Sequence, residues 1–161
     1  AGVPFYLRSG KRLSRRDTEI VIQFRRAPLL LFRETEVGEI EPNRLVLHIQ
    51  PEEGMAIHMK AKRPGPTIHL NTVKLNFNYK DFGEEKATGY ERLLYDGMIG
   101  DSTLFHRSDM VETAWKIAQP MLDVWHSLPP RDFPNYPAGS WGPAAADNLI
   151  AQDGNKWLMP E

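Results

Sequence analysis

Residues 72–80 read TVKLNFNYK, and the alternation in them decides the fold class. Val73, Leu75, Phe77 and Tyr79 fall on one face of an extended chain, with Lys74, Asn76 and Asn78 on the other. A half-buried strand writes this period of two; a helix would place its apolar residues three and four apart. Three earlier stretches carry the same signal. TEIVIQF (18–24) sets Ile20, Ile22 and Phe24 against Glu19, Val21 and Gln23. NRLVLHIQP (43–51) sets Leu45, Leu47 and Ile49 against Val46, His48 and Gln50, and Pro51, lacking an N–H, closes it. GMAIHMKAK (54–62) follows, and RPGPT (63–67) is a stiff turn leading into the opening stretch. Successive strands with turn-length connections predict a large, mostly antiparallel sheet. APLLLFRETEVGEIEPN (27–43) reads as a loop over that sheet, with an apolar plug at Leu29 to Phe32.

The second half reads as helix. GYERLLYDGMIG (89–100) has Tyr90, Leu93, Leu94 and Met98 at helical spacing and ends on glycine. SDMVETAWKIAQPMLDVWHSL (108–128) opens on Ser108 and Asp109 as capping candidates, with Glu112 placed for a capping box. Its apolar stripe runs Val111, Ala114, Ile117, Ala118, Met121, Leu122 and Trp125; Trp115 and Trp125 read as core residues, and Pro120 is expected to bend the helix. PPRDFPNYPAGSWGP (129–143) is a proline-rich strap, and PAAADNLIAQ (143–152) is a last short helix with Pro143 in its first turn. Sheet first and helices after makes the expected class α+β, with the helices packed on one face of the sheet.

The whole chain, 1–161, is long enough for one domain with a real core. It is 41% hydrophobic and 25% charged, with a net charge of −1. A nucleic-acid-binding domain normally carries a clear basic excess, so that class is set aside. No apolar run reaches the roughly 18–20 residues of a bilayer span, so no membrane role is expected. The absence of cysteine excludes disulfides and thiol chemistry and fits a reducing, cytoplasmic setting. The chain opens inside an apolar, strand-like run, which points to a piece of a longer protein.

Self-contained chemistry is missing. The glycines form neither a dinucleotide fingerprint nor a phosphate loop, and no zinc-protease or nucleophile-elbow motif occurs. His48 and His58 lie on neighbouring strands, where a solvated or hydrogen-bonded role is simpler than a zinc pair. The front of the chain is different in kind. Arg8, Lys11, Arg12, Arg15, Arg16 and Arg25 make it strongly basic. Gly10 lets the chain turn and bring backbone N–H groups toward a ligand, Lys11 supplies a point charge, and Arg15 and Arg16 add possible bidentate oxygen contacts. The plain alternative is a solvated loop, or one paired with Asp17, Glu19, Glu34 and Glu36.

GVPFYLRSGKRL (2–13) closely resembles the start of the C-terminal domain of glucose-6-phosphate dehydrogenases, where a V-P-F-x-L-R-x-G-K block is characteristic. The likeness continues through EIVIQF, NRLVLHIQPEEG and YERLLYDGMIGDSTLFHRSDMVETAWKI to YPAGSWGPAAADNLI and KWLMP, in order and over essentially the whole chain. The resemblance implies a parent enzyme that oxidises glucose 6-phosphate to its lactone while reducing NADP. The coenzyme and the catalytic histidine–aspartate pair would belong to an N-terminal Rossmann domain, so no catalytic residue is expected here and the chain alone should be inactive. Residue by residue, the resemblance assigns Lys11 and Arg16 to the sugar phosphate, and Gln50 with them. It also implies a homodimer or tetramer built through the sheet. Some relatives bind a second, structural NADP on this domain; Arg8 and Trp157 fit that pattern. Asp17, Val21, the run Ala56-Ile57-His58 and Trp141 depart from it, so such a site is expected to be absent. The rival reading is a stand-alone sugar-phosphate-binding or assembly module.

Overall fold

The structure is a computed structural model that describes residues 2–26, 41–67, 69–83, 89–129 and 133–160. The expected plug at Leu29 to Phe32, and the possible acidic partners Glu34 and Glu36, lie outside the described residues. The chain divides into two compact units, Ala1–Gly83 with Tyr136–Glu161 and, separately, Glu84–Asn135.

The first unit is built on four strands, β1 (Thr18–Gln23), β2 (Arg44–Gln50), β3 (Gly54–Lys62) and β4 (Leu70–Asn78). They lie in chain order and every pair is antiparallel, as the turn-length connections predict. Ile20 stands opposite Leu47 and Ile22 opposite Leu45; Leu47 then faces Met55, and Met55 faces Phe77. This register gathers every apolar set of the alternation onto one face. That face is largely open in this chain, with Ile20 51% and Leu75 54% exposed. Burial concentrates on the other side, at Val46, Ala56 and His58, where Leu158 and Met159 of the C-terminal segment close a cavity of about 20 Å³. Helix α3 (Ala144–Ala151) adds the buried Ile150. β4 stops at Asn78, and Tyr79 begins a 3-10 turn (Tyr79–Phe82) in which Phe77, Tyr79 and Phe82 form an aromatic cluster.

The second unit carries α1 (Gly89–Ile99) and α2 (Ser108–Ser127). The α+β class read from the sequence is therefore what the chain adopts. Two local expectations fail. The capping box does not form: Arg107 is the N-cap, without a side-chain cap, and Asp109 lies inside the helix with its carboxylate on the Arg107 guanidinium at 2.8 Å. Because the helix begins at Ser108, Asp109 stands inside its first turn and not at the N-cap, and its Oδ1 accepts the Met110 N–H at 3.0 Å as well as the arginine. Trp115 and Trp125 are 56% and 70% exposed, not core. α2 runs through Pro120 as one helix. Among the described residues no helix is long and apolar enough to cross a membrane.

Candidate substrate-binding loop

The front segment, residues 2–17, forms no strand or helix, so its shape must come from elsewhere in the chain. It comes from the C-terminal residues of the same unit, at three successive points.

The first is Tyr6. Its hydroxyl donates to Asp153 Oδ2 at 2.6 Å and accepts from Asn155 Nδ2 at 3.1 Å, while its ring meets Trp157 edge-on. The hydrogen bond to the carboxylate raises the Tyr6 pKa above its ordinary value of 10.0. A raised tyrosine pKa means that the protonated form is favoured in the folded state. Its contribution to stability is complete below the unfolded value and is lost as pH climbs through the raised one. Tyrosinate absorbance should accordingly show Tyr6 ionising earlier in an Asp153→Asn variant; an unchanged titration would remove Asp153 as the cause.

The second point is Arg8. Its guanidinium lies 4.6 Å from the Trp157 ring centroid and 5.3 Å from that of Trp141, and one terminal nitrogen contacts Met159 Sδ at 3.4 Å. The other terminal nitrogen is buried and, among the described residues, has no hydrogen-bond partner. Trp157 is itself anchored by its indole N–H, which donates to the Ala146 carbonyl at 3.0 Å. A cation spaced two residues from Tyr6 thus ties the front segment to the C-terminal residues a second time, and through Trp141 to the strap as well.

The third point is the turn itself. Tyr136 donates its hydroxyl to the Lys11 carbonyl at 2.6 Å, and the Gly139 N–H donates to the Arg12 carbonyl at 2.9 Å. Arg12 sits at φ 55, the left-handed region that a non-glycine residue seldom occupies. The strap presents these donors through a turn in which Ser140 N–H returns to the Pro137 carbonyl, with Gly139 at φ 83. A positive φ at that third position is what makes glycine the fitting residue there. Gly10 does something other than expected. Its φ is not positive, but a Cβ there would stand 2.9 Å from the Tyr136 hydroxyl. The glycine makes room for the tyrosine.

The basic side chains separate on this frame. Arg15 is held by Asp17 through Nε at 3.1 Å and NH2 at 2.7 Å, which withdraws it from a ligand role. Lys11 and Arg16 are exposed, and among the described residues their side chains make no hydrogen bond or ion pair. Gln50 ends β2 opposite Thr18, where the register shifts, and Arg16 precedes Thr18 by two residues. Arg16 and Gln50 therefore share one end of the sheet. Lys11 stands on the braced turn five residues upstream of Arg16, and among the described residues no hydrogen bond or ion pair joins its side chain to the other two.

His48 and His58 do line one cavity, together with Glu19, Arg44 and Lys74. His48 Nδ1 lies 3.7 Å from Glu19 Oε2. Two cationic side chains at the same cavity suit a divalent metal poorly. Among the described residues no group of three or more histidines or carboxylates is arranged to hold one.

The family model for the glucose-6-phosphate dehydrogenase C-terminal domain matches residues 1–158. The chain belongs to that family. It is 49% identical over 160 residues to glucose-6-phosphate 1-dehydrogenase of Mycolicibacterium smegmatis, a match covering 98% of this chain and 32% of the relative. A crystal structure of glucose-6-phosphate 1-dehydrogenase from Mycobacterium avium superposes with a TM-score of 0.71 at 34% identity, over 94% of this chain and 30% of that one. A glucose-6-phosphate dehydrogenase in complex with its substrate glucose 6-phosphate gives a TM-score of 0.74 at 31% identity, over 93% and 30%. The chain thus spans about a third of the length of the relatives it matches, and corresponds to their C-terminal domain.

The sequence reading missed Tyr6, Tyr136 and Trp141 as the parts that shape the loop. Their partners stand 147, 125 and 133 positions away, and no local period signals a contact across that separation.

Proposed function

We propose that this chain is the substrate-lining and oligomerising domain of a cytoplasmic, NADP-dependent glucose-6-phosphate dehydrogenase, the enzyme class that opens the oxidative pentose phosphate route. The observation that carries the reading is the Lys11 turn: the Lys11 carbonyl and the next are held by hydrogen bonds, while the ammonium makes no hydrogen bond or ion pair among the described residues. Lys11 holds the phosphate or a hydroxyl of glucose 6-phosphate, and Arg16 and Gln50, at the sheet end that follows, hold further oxygens. These groups position the sugar and take no proton. In the reaction a hydride leaves C1 for NADP and the C1 hydroxyl proton passes to a base, giving the lactone. Both the coenzyme and that base belong to the N-terminal domain of the same enzyme.

The residues present do not fit a second dinucleotide on this domain. Arg8 is engaged by two indoles and a thioether, and among the described residues only one of its terminal nitrogens is buried without a hydrogen-bond partner. A pyrophosphate needs a cluster of donors, and Asp17 and Trp141 supply no cation where one would be required. Arg8 acts as a brace. The open apolar face of the sheet supports assembly into a homodimer or tetramer, since a contiguous patch of this kind is seldom left to water.

The test is NADP reduction with glucose 6-phosphate. The full-length protein carrying this domain is expected to reduce NADP, and the isolated chain to show none. Activity from the isolated chain would overturn the division of labour described above.

A further inference from the structure

We infer that Tyr136 is a positioning residue for the sugar-phosphate contact, acting through the backbone on which Lys11 stands. The inference rests on the substrate role proposed for Lys11 and deepens it. Three observations meet at one point. The Tyr136 hydroxyl donates to the Lys11 carbonyl at 2.6 Å. Gly139 N–H holds the next carbonyl, that of Arg12, at 2.9 Å. Gly10 lacks the Cβ that would press on the Tyr136 hydroxyl from 2.9 Å.

Two consecutive carbonyls of an otherwise irregular loop are thereby fixed from a strap about 125 residues away in sequence. A lysine side chain has four rotatable bonds and spends entropy on reaching any ligand. Fixing its backbone narrows the volume the ammonium searches and directs it to one side of the turn. The left-handed Arg12 depends on the same support, because its φ of 55 carries a cost that the two hydrogen bonds offset. Tyr136 touches neither sugar nor coenzyme in this account, so its removal is felt in binding and not in the chemical step.

The experiment uses the full-length enzyme and reads KM for glucose 6-phosphate, kcat and melting temperature for Tyr136→Phe, Gly10→Ala, their double variant and Lys11→Ala. Tyr136→Phe deletes one oxygen and is expected to raise KM about three- to tenfold, the range expected for one lost hydrogen bond, with kcat and melting temperature close to the parent. Gly10→Ala raises KM as well, because its methyl group displaces the hydroxyl; the Leu13 side chain, at 3.1 Å, is flexible and can yield. Once the hydroxyl is gone the methyl group has room, so the double variant has a KM close to that of Tyr136→Phe alone. A generally weakened fold would not produce that non-additivity. An unchanged KM in Tyr136→Phe, with KM raised in Lys11→Ala, overturns the positioning role and leaves the substrate role standing. Activity lost only in proportion to a lower melting temperature also overturns it. An unchanged KM in Lys11→Ala removes the substrate role, and the role of Tyr136 falls with it.

Discussion

Lys11→Ala in the full-length enzyme is expected to lower kcat/KM for glucose 6-phosphate on the order of a hundredfold, the scale seen when one partner of a desolvated charge pair is truncated. The folded structure offers the side chain nothing to lose. Lys11 is exposed and, among the described residues, its ammonium makes no hydrogen bond or ion pair, so the melting temperature should stay near that of the parent. The defect should lie mainly in KM, since a group that grips the sugar equally before and during hydride transfer contributes uniform binding. Lys11→Arg should recover only part of the loss. A planar guanidinium carries its charge further out and in a different shape, and the braced turn fixes where that shape begins. An unaltered kcat/KM in Lys11→Ala would end the assignment. Arg15 supplies the internal control. It is as basic and lies on the same front segment, but its guanidinium is committed to Asp17, and Arg15→Ala should disturb substrate use far less.

That contrast marks where sequence stops being sufficient. The alternation in residues 18–24, 43–51, 54–62 and 72–80 fixed strand identity and order, because each strand announces its own faces with a period of two. It also placed Gln50 at a strand end, since Pro51 cannot continue the ladder. Burial was harder to read. An apolar face shows where water is unwelcome but not what covers it; here the Val46, Ala56 and His58 side is the one closed by the chain's own C-terminal segment. Side-chain competition was equally hidden. Asp109 had the right spacing to cap α2, but the helix starts one residue earlier, and the carboxylate is shared between the Arg107 guanidinium and the Met110 N–H. In the candidate site, the basic residues were visible from composition, and Lys11, Arg16 and Gln50 were assigned by resemblance. Which cation was free, and why Gly10 is glycine, depended on Asp17 and Tyr136 in three dimensions.

Gly54→Ala carries the largest expected cost to stability, about 2–4 kcal/mol for a steric clash and backbone shift at a buried site. Gly54 begins β3, is buried, and pairs with His48 on one side and Asn78 on the other. A Cβ there would stand 2.5 Å from the Phe77 carbonyl oxygen and 3.2 Å from Asn78 Oδ1. The asparagine can rotate away. The carbonyl cannot, because it belongs to the backbone of β4, so relief requires β3 and β4 to separate at this end of the sheet. The same end holds Gln50 and the start of β1, so the damage should reach the residues proposed to bind substrate as well as the melting temperature. Gly97→Ala is the matched comparison. It lies inside α1, its nearest neighbour to a new Cβ is the Phe105 ring at 3.8 Å, and exchanging glycine for alanine in a helix favours the fold by about 1 kcal/mol. Thermal or urea unfolding of the two variants should therefore move in opposite directions. If Gly54→Ala melts with the parent, the close approach of β4 to β3 at Phe77 is not what keeps a glycine at position 54.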